Sequence, residues 1–215
     1  MSTVNVKITA HSGCDGYAMN SREYILHALT LDIYALELDI RRDSDGVLIL
    51  THNPPESGHE YVSLEDAFSL VRDSRIRINC DLKESGLERD VLGVAGRIGI
   101  DVERVIFTGT LTDWRDVGLA GRVWLNPEEV CRDFYEARRD VVEVMRLAKT
   151  HGYSVLNVDY RIVNEAVIDS ARVYGMKLSL WTIDDPAEIP ESIYSTHIIN
   201  ITTNYPSRIV QALDT

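Results

Sequence analysis

Basic residues, cysteines and long apolar runs are all scarce in this chain. There are 22 Lys and Arg against 34 Asp and Glu, a formal net charge of −12 over 215 residues. A surface of that sign repels nucleic acid and anionic membranes on average, although a local basic pocket can still meet an anion. No apolar run approaches the ~20 residues of a membrane span. The opening MSTVNVKITAHSG lacks the basic-then-apolar order of a secretory signal. Neither a nucleic-acid partner nor stable membrane insertion is expected. The three cysteines, Cys14, Cys80 and Cys131, are odd in number and lack metal-site spacing. A reducing, cytoplasmic setting is the simplest inference. Cys14 lies close to His11, which raises a nucleophilic pair, but no third group presents itself to orient the histidine. No Gly-rich fingerprint follows the first strand, which argues against a dinucleotide fold.

What the chain does have is a core and an alternation. Hydrophobic residues make up 45%, enough for a sizeable interior, and the length suits one α/β barrel of roughly 200–250 residues. Strand patterns are predicted at residues 4–10, 77–83, 105–107, 122–125, 154–158, 177–183 and 197–201. Asp45-Gly46 is a turn signal that folds 38–41 against 47–50 as a hairpin-like extension. Helices are predicted from Asn20 or Ser21, Ser63, Leu87, Asp113, Val141, Asn164, Asp184 and Tyr205 onward. Residues 126–140 read as a strand-to-helix loop with helical turns. Eight strand–helix units without a linker predict a closed (β/α)8 TIM barrel, one domain over residues 1–215.

The chemistry gathers around ALELDIRRDSDGVLILTH, residues 35–52. Alternation puts Glu37 and Asp39 on one face of a strand, with Leu36, Leu38 and Ile40 on the other. Two carboxylates on one face of an apolar strand lose hydration and repel each other. A hard cation relieves both costs; so does plain solvent beside an edge strand. The barrel topology favours the cation, because it brings other groups to the same mouth. The C-terminal strand ends carry His11, Glu37 and Asp39, Asp81 and Lys83, with His52 just past the hairpin and Trp181 and Asp184 near the seventh strand. Glu37, Asp39 and Asp81 offer three oxygen ligands suited to Mg²⁺ or Ca²⁺, and lack the His/Cys set of zinc. His11 and His52 can serve as general base and general acid near neutral pH. Lys83 can neutralise a phosphate oxygen. The set fits in-line displacement at phosphorus. Trp181 walls the pocket or packs in the barrel core, with equal weight on each.

At AHSG (10–13), MNS (19–21), ELD (37–39), the SDG to LTHN run (44–53), CDLKESG (from 80), WTID (181–184) and TTNYP (202–206), the sequence resembles the glycerophosphodiester phosphodiesterase family. The resemblance implies a TIM barrel and a small phosphodiester substrate of lipid metabolism, cleaved to glycerol 3-phosphate and an alcohol. By the same resemblance His11 and His52 are the acid/base pair, Glu37, Asp39 and Asp81 hold the divalent cation, and Lys83 contacts phosphate. Four departures stand out. Ser12 replaces the family's Arg, Met19-Asn20-Ser21 replaces Glu-Asn-Thr, and Asp81 replaces Glu. Ten residues, 53–62, stand where the family carries an inserted subdomain. The Asp81-Leu82-Lys83 motif and the missing insertion also look like the sphingomyelinase D/phospholipase D-type barrels, which are secreted. Two alternatives follow: lipid head-group cleavage with a cyclic phosphate product, and a degenerate barrel that binds without turnover. The loops at 56–61 and 126–140 are expected to select the alcohol.

Overall fold

The computed structural model describes residues 6–116 and 118–213. Four strands open the barrel: β1 (Lys7–Ala10), β2 (Ala35–Arg42), β3 (Leu48–Leu50) and β4 (Arg77–Leu82). Then come β5 (Val105–Gly109), β6 (Val155–Asp159), β7 (Lys177–Trp181) and β8 (Ile198–Thr203). The sheet order is β5-β4-β2-β1-β8-β7-β6, and the pairings along it are parallel. β3 folds back antiparallel on β2, with Ile40 opposite Leu50. Its turn is set by Asp43, whose Oδ1 accepts the N–H groups of Asp45 and Val47. The hairpin expected from Asp45-Gly46 is therefore present. Residues 4 and 5 of the first expected strand lie outside the described residues.

The expected strand at 122–125 is reduced to two bridges, Val123 to Phe107 and Leu125 to Leu156, both parallel. Those bridges fill the fifth barrel position between β5 and β6 and close the ring. Gly121 and Pro127 bound the stretch. The expected helix from Asp113 is a series of turns, and Val117 lies outside the described residues. Asp113 and Asp116 accept the backbone N–H groups of Arg115 and Gly118, a local bonding pattern that competes with a helix.

The helices are α1 (Arg22–Ala28), α2 (Leu64–Val71), α3 (Glu88–Ile98), α4 (Pro127–Val130), α5 (Val141–Thr150), α6 (Glu165–Tyr174) and α7 (Pro206–Leu213). Ser21, Ser63, Asp140 and Asn164 cap α1, α2, α5 and α6 with their side chains. Gly99 and Gly175 end α3 and α6 in the left-handed conformation. Leu36, Leu38, Ile40, Ile78 and Leu82 share one apolar cluster with Phe68 and Val71 of α2 and Val91 and Ala95 of α3. Each of these side chains except that of Ala95 contributes about 1.5–3 kcal/mol on burial. The opposite strand face is polar inside the barrel. There Thr9 donates to Asn200, and Asn200 donates to Ser179. Asp15 ties the ends of the chain together, accepting from Ser207 of α7 and bonding His27 of α1 through the same oxygen.

Gly109 closes β5 at φ +77°, and a Cβ there would lie 2.3 Å from Asp81 Oδ1 and from the Leu82 carbonyl. Gly109→Ala should lower stability by about 2–4 kcal/mol through strain and overpacking. Gly96, on the exposed face of α3, has open space around it. Gly96→Ala should raise stability by about 0.5–1 kcal/mol. Thermal unfolding of the two variants tests both signs.

Candidate active site

Parallel register places the acids. Asp39 pairs with Asp81 and Glu37 with Asn79 across β2 and β4, so the three carboxylates share the interior face. One oxygen from each of Glu37, Asp39 and Asp81 lies within 4.8 Å of the others. Lys83 follows β4 directly, and its Nζ sits 2.9 Å from Asp39 Oδ1 and 2.5 Å from Asp81 Oδ2. His11 follows β1, its N–H bonded to the Thr203 carbonyl, and its Nε2 lies 3.7 Å from Glu37 Oε1. His52 is exposed at the rim. The main chain there hooks onto β2: the Thr51 N–H donates to the Asp39 carbonyl, and Arg41 Nε donates to the His52 carbonyl.

His11, Glu37, His52, Asp81, Lys83 and Trp181 line one cavity of about 300 Å³. Asp39 lies behind that wall, 1% exposed. The structure thus gathers the expected site residues at one mouth. Trp181 is half-buried, and Tyr135 meets its ring edge-on at 6.0 Å, so the indole faces a cavity rather than filling the barrel core. Asp184 instead joins the last two loops, accepting from the backbone and side chain of Asn204. A second groove, about 480 Å³, runs beside the first between residues 18–23 and 50–62, and His52 lines both.

The electrostatics follow from crowding. Burial pushes the Glu37 carboxyl well up, and the Asp81 and Asp39 charges push it further. Burial also works against Asp39, but Lys83 and a hydrogen bond from Asn20 outweigh it and hold that carboxyl below its ordinary range. Lys83 loses hydration too, and Asp81 and Asp39 more than compensate, raising its ammonium above the usual range. Burial lowers His11 and so favours its neutral imidazole. Three carboxylates around one ammonium leave a negative excess. An all-oxygen donor set this close suits a hard divalent cation.

Asn20 is the residue that sequence reasoning missed. The sequence offers it as an alternative helix cap, a role that Ser21 takes, and as the middle of the MNS motif. Asn20 Nδ2 donates to Asp39 Oδ2 at 2.7 Å, and its Oδ1 accepts the Asp39 N–H at 3.0 Å. Its φ of +57° is one that Asn tolerates better than most residues. Gly13 permits the approach, since a Cβ there would lie 2.7 Å from Met19 Cα. The MNS motif was the available signal. Asn126 and Glu128, from the 126–140 segment expected to select the alcohol, line the far cavity wall with Asn157, which the sequence did not single out. Ser12 is fully buried. Cys14 is buried as well, and burial together with Asp15 pushes its thiol up to about 12, which leaves no nucleophile to pair with His11.

No family model and no curated protein matches the sequence. Solved structures do match. A glycerophosphodiester phosphodiesterase from Parabacteroides distasonis superposes with a TM-score of 0.74 at 18% identity, covering 99% of this chain and 98% of that one. The chain has the fold of the glycerophosphodiester phosphodiesterases. A further such enzyme, from Agrobacterium tumefaciens, gives 0.70 at 17% identity over 96% and 99% of the two chains. A phosphodiesterase from Oleispira antarctica, in complex with the product sn-glycerol-3-phosphate, gives 0.71 at 14% over 97% of each.

The crowding has a measurable cost. Glu37 is raised in the folded state, so stability falls as pH rises through its folded value. Asp39 is depressed, so its contribution is present above the ordinary carboxylate range and is lost as pH falls through its folded value. In chelator at pH 7, Glu37→Gln should therefore raise the melting temperature, by the equivalent of about 1–3 kcal/mol. That gain should shrink toward pH 4. Asp39→Asn should destabilise by about 2–4 kcal/mol at pH 7, because it leaves Lys83 with one carboxylate. Melting curves of both variants across pH check the two opposite signs.

Proposed function

We propose that residues 1–215 form one catalytic domain, a metal-dependent phosphodiesterase of the glycerophosphodiester type. It would cleave a small phosphodiester to glycerol 3-phosphate and an alcohol. The observation that carries this reading is the single cavity lined by His11, His52, Glu37, Asp81 and Lys83. Glu37, Asp39 and Asp81 would hold the cation, Mg²⁺ or Ca²⁺, which when bound supplies positive charge to a phosphoryl oxygen. Lys83, already at the cavity wall, neutralises a second phosphoryl oxygen.

His11 is half-buried and close to Glu37, and burial favours its neutral form, which suits it to accept the proton of the attacking water. Glu37 then stabilises the imidazolium at 3.7 Å. His52 stands at the rim between cavity and groove, where it gives a proton to the departing alcohol. Trp181 walls the cavity on the substrate side. The sn-glycerol-3-phosphate held by the Oleispira antarctica structure supports the product assignment. The three unpaired cysteines support a reducing, cytoplasmic setting.

A second reading is lipid head-group cleavage. The observation that favours it is Lys83 paired with Asp81 in an Asp-Leu-Lys motif at the end of β4. Product analysis separates the two, because that route gives a cyclic phosphate and no glycerol 3-phosphate.

The test is hydrolysis of a panel of glycerophosphodiesters with and without chelator. Glycerol 3-phosphate release should require the divalent ion. His11→Ala and His52→Ala should each lose about 10²–10⁴-fold in kcat with near-native melting. Wild-type turnover by a purified His52→Ala sample would overturn the acid/base assignment.

A further inference from the structure

Three side chains that the catalytic reading leaves unused come together at the β1–α1 loop. Cys14 and Asp15 lie in that loop, and His27 stands in the last turn of α1. One donor atom from each, a sulfur, a carboxylate oxygen and a ring nitrogen, lies within 4.8 Å of the other two. Asp15 Oδ2 is 2.9 Å from His27 Nε2 and accepts from Ser207 at 2.7 Å. Those bonds account for the acid and the imidazole. They do not account for Cys14. Its side chain is buried, 1% exposed, and its Sγ has no hydrogen-bond partner among the described residues. Apolar packing is the ordinary use of a buried thiol, but this one has a carboxylate and an imidazole at close range. Burial and the Asp15 charge both hold it protonated. A metal ion takes the place of that proton and balances the two acids together.

The donor set names the ion. Thiolate, imidazole and carboxylate are the protein ligands of Zn²⁺, and the soft sulfur disfavours Mg²⁺ and Ca²⁺. The all-oxygen carboxylate cluster of β2 and β4 has the opposite preference. A tetrahedral zinc ion with bonds of about 2.0–2.3 Å holds its ligands roughly 3.3–3.8 Å apart, so the donors need close by about 1.5 Å at most. The ligands are already supported. The Tyr17 ring stacks on His27 at 4.5 Å, and the Ser207 hydroxyl fixes the Asp15 carboxylate, as groups behind metal ligands commonly do. The side chains of Asp15 and His27 are partly exposed, which gives an ion its way in and leaves a fourth position for water. We propose that Cys14, Asp15 and His27 form a Zn²⁺ site, separate from the carboxylate cluster, that clamps the β1–α1 loop to α1 and, through Ser207, to α7. His11 begins that loop and Asn20 lies near its end, so the clamp steadies two residues of the mouth. The inference goes beyond the phosphodiesterase reading and stands without it.

In the experiment the protein is stripped with chelator under reducing conditions, and Co²⁺ alone is titrated in as a spectroscopic substitute for Zn²⁺. Coordination by Cys14 gives a thiolate-to-cobalt charge-transfer band in the near ultraviolet, which oxygen ligands do not produce. The band should appear at one equivalent in wild type, vanish on adding Zn²⁺, and persist in the Glu37→Gln/Asp81→Asn double variant, whose carboxylate cluster is disabled. Cys14→Ser should lose the band, and His27→Gln should weaken Co²⁺ binding by at least about tenfold. A wild type without the band overturns the proposal, as does an undiminished band in Cys14→Ser. Should Cys14→Ser fail to fold, His27→Gln decides, since Co²⁺ affinity equal to that of wild type in that variant overturns the site.

Discussion

The ammonium of Lys83 between Asp39 and Asp81 is the contact on which the site depends. Three carboxylates on one sheet face would force the strand ends apart if they were all charged and unaccompanied. Lys83 offsets part of that repulsion, and the Asn20 amide fixes Asp39 from the other side. The remainder falls on Glu37, whose raised carboxyl expresses a charge that the protein alone does not balance. A buried pair of this kind is weak evidence for stability, since desolvation cancels much of the attraction. It is better understood as a means of holding three oxygens at ligand spacing.

The rest of the molecule serves that geometry. Parallel register of β2 on β4 puts Asp39 beside Asp81. The β2–β3 hairpin carries His52 back to the rim, and the Thr51 and Arg41 bonds hold its main chain there. Gly13 and Gly109 leave room for two close approaches, Met19 at the first loop and Asp81 at the end of β5. Neither position accepts a side chain without moving an atom near the acids. The apolar cluster between sheet and helices makes the barrel rigid enough for such tolerances.

Most of the architecture was legible because hydrophobic alternation and caps are local signals. Asn164 and Gly175 delimit α6 as their residue types require, and Asp45-Gly46 makes its hairpin. The errors lie where local side chains compete with the pattern. Asp113 and Asp116 capture backbone donors and replace a helix with turns. The fifth barrel position closes the ring with bridges alone. Asn20 was missed because an Asn before a helix has two good uses, and only its distance to Asp39 separates them.

By itself the sequence determined the alternating α/β plan, the acidic surface and the set of groups available at the strand ends. It did so because period-two and helical patterns, turn residues and charge are properties of neighbours in the chain. Tertiary structure decided which of those groups meet. Lys83 on Asp39, Asn20 on Asp39 and Glu128 across from His11 are relations between distant segments, set by strand register and barrel closure. The raised carboxyl of Glu37 belongs with them, since burial in the folded barrel and the charge of Asp81 on β4 raise it.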